Sequence, residues 1–100
     1  MHEISSLLRN RYLQRRLQDA KTCSQKIHQQ DWAYFCRLGH QLKGNAASYG
    51  FEDLAGIAER METGATHQDS RRLEEALEEF RSWILKNPAI QDSSESLLLR

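Results

Sequence analysis

The sequence predicts an all-α fold, an antiparallel four-helix bundle. Three observations carry that expectation. Apolar residues recur at spacings of three and four in four separate stretches, the period of an amphipathic helix. Valine is absent and no alternating β-branched run occurs, so nothing reads as a strand. The one proline, Pro88, falls after the last of the four stretches. A chain of 100 residues makes one domain with a simple core.

The first helix is expected from about Ser5 to Gln29, with Leu13, Leu17, Ala20, Ser24 and Ile27 as its apolar stripe. Leu7 and Leu8 either begin it or form a short extra N-terminal helix. Asp31 is suited to cap a second helix that runs to Tyr49, where Gly50 supplies the positive backbone angle that ends it. A third spans about Phe51 to Gly64, with Leu54, Ala58 and Met61 on one face. Its first turn carries Glu52 and Asp53, where the helix dipole favours acids, and Gly64 is expected to stop it. Asp69 or Ser70 caps the fourth helix, marked by Leu73, Leu77, Phe80 and Ile84 with Ala76 and Trp83 beside them. Asn87-Pro88 closes it. Residues 1–88 thus make the bundle. Residues 89–100 are read as a flexible tail whose Leu97-Leu98-Leu99 has no assigned role.

Charge is zero overall but divided. Residues 1–50 hold eight Lys/Arg and three acids, a net +5, and residues 51–100 hold six Lys/Arg and eleven acids, a net −5. Arg9, Arg11, Arg15 and Arg16 invite a nucleic-acid reading, but no aromatic interleaving or DNA-binding motif accompanies them. A solvated basic face, or steering of an acidic partner, fits better. No apolar run is long enough to cross a membrane, and Met1 to Ser6 lack the form of a secretion signal. Cys23 and Cys36 do not form a Cys-x-x-Cys pair. The expectation is a free-standing cytoplasmic protein with neither a membrane partner nor a nucleic-acid partner.

The chemistry concentrates in residues 32–51. On a helix of about 100° per residue, Phe35, Leu38, Leu42 and Tyr49 lie opposite His40 and form the buried face. His40 therefore faces solvent. Ala33, Cys36, Gly44 and Ala47 project within about 40° of it, and Arg37 and Lys43 flank it at about 60°. Gly39 and Gly44 each cost a helix about 1 kcal/mol relative to alanine, and both adjoin the same histidine. Small residues there would let another protein's backbone approach the imidazole. An ordinary imidazole is mostly neutral near pH 7 and nucleophilic. Lys43, three residues on, can offset the roughly two negative charges of a phosphoryl group. No acid occurs between Trp32 and Phe51, so no carboxylate close in sequence orients His40 or holds Mg²⁺. No glycine-rich nucleotide loop is present either, so autonomous kinase activity is not expected.

The run His40-Gln41-Leu42-Lys43-Gly44-Asn45-Ala46-Ala47-Ser48-Tyr49-Gly50-Phe51 resembles the signature of histidine-containing phosphotransfer (HPt) domains: His-x-Leu-Lys-Gly, small residues, then Gly and a hydrophobic residue. The resemblance reaches back to Asp31-Trp32 and on to Met61-Glu62, where the family usually has Leu-Glu. It implies a four-helix bundle and a phosphorelay role, in which a receiver domain's phospho-aspartate donates to the histidine and another receiver accepts from it. By position, His40 would be phosphorylated, Lys43 would stabilise the phosphoryl group, and Gly44 would leave room for the receiver. Gln41 falls at a variable family position beside the site. Partners would be receiver domains of response regulators or of a hybrid sensor histidine kinase. No cofactor is expected, since the receiver would bring Mg²⁺. Asn45 and Tyr49 depart from the usual small and aliphatic residues.

Blander readings stand beside these. His40 as a plain surface histidine is outweighed by Lys43, Gly44 and Gly50 in register. Cys36 and His40 are four apart, as paired metal ligands would be, but two ligands make a poor site, and none is expected. Gly44 as a helix-packing glycine disagrees with its projected direction. A binding module that docks on a receiver or kinase without taking phosphate is the alternative function, though it has no need of the His40–Lys43 pair.

Overall fold

The computed structural model describes residues 6–87; Pro88 and the tail expected at 89–100 lie outside the described residues. Four helices follow one another: α1 Ser6–His28, α2 Trp32–Ser48, α3 Glu52–Thr66 and α4 Ser70–Lys86. Among the described residues there is no strand, and no helix is long and apolar enough to cross a membrane. Leu7 and Leu8 belong to α1 itself.

The starts are those the sequence marks. The Asp31 carboxylate accepts the Tyr34 N–H at 3.1 Å and opens α2. Asp69 accepts the Arg72 N–H at 3.2 Å and opens α4. The ends of α1, α2 and α3 share one device. Gly50 has φ +83°, and the N–H groups of Phe51 and Gly50 return to the carbonyls of Ala46 and Ala47. Gln30 (φ 52°) and Gln68 (φ 51°) do the same after α1 and α3, with Asp31 N–H on Lys26 and Asp69 N–H on Gly64. Gly64 therefore does not end α3, which continues to Thr66. It is needed for contact: a Cβ there would lie 2.9 Å from the backbone nitrogen of Leu73 on α4.

Each neighbouring pair runs antiparallel, as the cross-contacts show. Tyr12 near the start of α1 stacks on Tyr49 just past the end of α2, ring centres 4.3 Å apart, while Lys26 near the end of α1 stands over Tyr34 at the start of α2. Gly39 of α2 abuts Ala58 and Glu62 of α3. Arg60 of α3 makes a two-pronged pair with Glu79 of α4, both bonds at 3.0 Å. α1 packs against α4 and closes the ring.

The core is filled by Leu13, Cys23, Phe35, Leu42, Leu54, Met61, Leu73, Phe80 and Ile84, all fully buried. Tyr12 and Cys23 enter it from α1, and Ser24 of the expected stripe is exposed. The α1 stripe lies one residue earlier at its end because Cys23 packs as a small apolar group. Burial pushes its thiol up to about 12. The neighbouring Tyr34 hydroxyl, also desolvated, rises to about 12.

Candidate functional site

His40 sits midway along α2 with 72% of its side chain exposed, because Phe35, Leu38 and Leu42 turn the opposite face of the helix into the core. Ala33, Arg37, Gln41, Gly44 and Ala47 are exposed on the same helix, and Cys36 is half-buried. These residues share its outward side, whereas Gly39, also expected beside the histidine, does not. At Gly44 a Cβ would meet nothing within 4 Å, so this glycine opens the surface rather than serving a helix contact.

Gly39 has the other role. It is buried, and a Cβ would lie 2.8 Å from Glu62 N and 2.9 Å from both Ala58 O and Glu62 Cβ. The expectation that it opens the histidine to a partner is corrected: it lets the backbones of α2 and α3 meet. That close approach has a chemical result. Glu62 on α3 reaches across so that its Oε2 lies 3.3 Å from His40 Nδ1 and its Oε1 lies 3.3 Å from Lys43 Nζ. One carboxylate thus bridges the imidazole and the lysine. Sequence reasoning expected no orienting acid, because it looked only within α2; the signal was Glu62 in the Met61-Glu62 match.

With Nδ1 facing a carboxylate, the ring proton is favoured on Nδ1 and the lone pair on Nε2, at the other edge of the ring. Lys43, 42% exposed, is held beside the ring by the same acid. An exposed, oriented imidazole with an adjacent ammonium and open space in front of it can take up and release an anionic electrophile.

Cys36 Sγ lies 3.6 Å from Thr66 Oγ1. Among the described residues no three His, Cys, Asp or Glu side chains gather as a metal site would need. Tyr34 packs edge-on to Phe35 and lies under Lys26.

A family model of the Hpt domain matches residues 7–85. The chain belongs to the Hpt domain family. No curated protein and no solved structure matches it. As an Hpt domain it is a helical phosphotransfer module of phosphorelays, of a family that carries phosphoryl groups without kinase activity and meets receiver domains. The two departures from the family signature in this Hpt domain share one explanation. Tyr12 donates its hydroxyl to Asn45 Oδ1 and stacks on Tyr49, so both unusual residues, one on α2 and one just past its end, receive the same side chain of α1.

Proposed function

We propose that His40 accepts a phosphoryl group from a receiver-domain aspartate and passes it to a second receiver. The Nε2 lone pair attacks phosphorus, the P–O bond of the acyl phosphate breaks, and the aspartate leaves as a carboxylate. The proton stays on Nδ1, facing Glu62. Lys43 offsets the charge on the transferred group. Gly44, Ala47, Ala33, Cys36, Gln41 and Arg37 form the face on which the receiver rests. Mg²⁺ comes with the receiver. The observation that supports this best is the Glu62 bridge, with both His40 and Lys43 at 3.3 Å, since it readies a nucleophile and a cation at one exposed point.

The test is incubation with phosphorylated receivers and Mg²⁺, read by intact mass under alkaline conditions. One added phosphoryl group in the wild type and none in His40→Gln is expected. Equal gain in both proteins refutes the assignment to His40.

A further inference from the structure

α1 and α2 enclose a second feature outside the phosphotransfer centre. A cleft of about 320 Å³ is lined by Leu8, Arg11, Tyr12, Arg15, Arg16, Asn45 and Tyr49. Its floor is fixed. Tyr12 is stacked on Tyr49 and bonded to Asn45, and Arg16 is committed to Asp19 at 2.8 Å while its guanidinium lies 4.6 Å over the Tyr12 ring. Its rim is not committed. Arg11 and Arg15 are exposed, one turn apart, and among the described residues neither has an acid in salt-bridge range.

The position of the cleft decides what it serves. Asn45 lies about 7.5 Å along α2 from His40 and about 140° around it. Gly44, Ser48 and Gln41 fill the intervening arc at about 40°, 80° and 100°. All three are exposed. An exposed strip of α2 therefore leads from His40 toward the rim, on the side away from Glu62.

We infer that Arg11 and Arg15 form an anchor for acidic side chains of the docked receiver, and so select which receiver is served. The inference rests on the carrier reading above. The net +5 of residues 1–50 is consistent with it, since a positive face speeds encounter with an acidic partner and suppresses wrong ones. Neither arginine touches the reacting atoms; both act on docking.

The experiment compares wild type with Arg11→Gln/Arg15→Gln. Phosphoramidate, a small donor that needs no docking face, should load His40 equally in both, by alkaline intact mass. Transfer is then timed from those receivers of a panel that load the wild type. At low salt the variant should lose about tenfold in kcat/KM, and the gap should close to about twofold at high salt. Equal rates at low salt, or a gap indifferent to salt, overturn the anchor. So does duplex DNA binding that the variant loses while receiver transfer stays unchanged. If phosphoramidate fails to load the wild type, or loads it while no receiver does, it is the carrier reading that fails and the anchor falls with it.

Discussion

Gly39 and Gly44 lie on one helix, within a turn of the same histidine, and alanine should push them in opposite directions. At Gly39 the new Cβ would lie 2.8 Å from Glu62 N and 2.9 Å from Ala58 O. Carbon contacts settle near 3.5 Å, so α3 has to withdraw by roughly 0.6–0.7 Å. Both crowding atoms are backbone, and no rotamer change relieves them. Overpacking of this kind costs about 1–3 kcal/mol, and the better helix propensity of alanine returns about 1 kcal/mol. The variant should therefore lose up to about 2 kcal/mol. At Gly44 nothing lies within 4 Å, so only the propensity gain of about 0.5–1 kcal/mol remains. The two proteins should differ by about 2 kcal/mol, or roughly 10 °C in Tm for a domain of this size. Urea unfolding followed by circular dichroism measures both. A Gly39→Ala protein more stable than wild type would refute the close contact of α2 with α3. Gly44→Gln extends the comparison to function: it should keep the fold and slow transfer from a receiver, and normal transfer would show that the receiver does not approach there.

Other expectations concern single groups. Glu62→Ala should leave the fold intact while slowing phosphorylation of His40, and the imidazole nitrogens should shift in ¹⁵N spectra as the ring loses its Nδ1 partner; an unchanged spectrum contradicts the bridge. Burial holds the Asp19 carboxyl above its ordinary 3.8 against the pull of Arg16. Its folded pKa exceeds the unfolded one, so its favourable contribution is complete below 3.8 and is lost as pH rises through the folded value. The stability of wild type minus Asp19→Asn should therefore fall as pH climbs through that window, and a rise would reverse the assignment. Iodoacetamide at pH 8 should label Cys36 alone in the folded chain and both cysteines in urea, because burial pushes the Cys23 thiol up to about 12. Gln68→Gly should stabilise by up to about 1 kcal/mol by relieving a left-handed residue, which thermal melting checks.

The helices were legible because periodicity and caps agree. Asp31, Asp69 and Gly50 act where the sequence places them. The errors share a cause, which is that the reading took one helix at a time. It turned Gly39 toward a partner because it contained no α3. It used Gly64 as a stop because it contained no Leu73. It placed Ser24 in the stripe and missed Tyr12 and Cys23, since the crossing of α1 with its neighbours decides which edge of a broad stripe is covered. Most of the exposed side of α2 was legible, because a strongly apolar opposite face fixes the rotation of that helix. Glu62 escaped for the same reason as Gly39, being brought to the histidine by tertiary contact alone.

The Glu62 bridge also bears on how firmly a carrier holds what it carries. At rest the carboxylate and the ammonium balance each other beside the ring. A phosphoryl group on the ring adds roughly two negative charges, and the one close lysine is then shared between it and Glu62. The loaded site is under-neutralised by its own residues. Cations in surplus would make a deep well, and a group that must move on would stay there. If His40 carries the group as proposed, the carboxylate facing its ring also keeps the well shallow, and the direction of transfer would then be set by each visiting receiver.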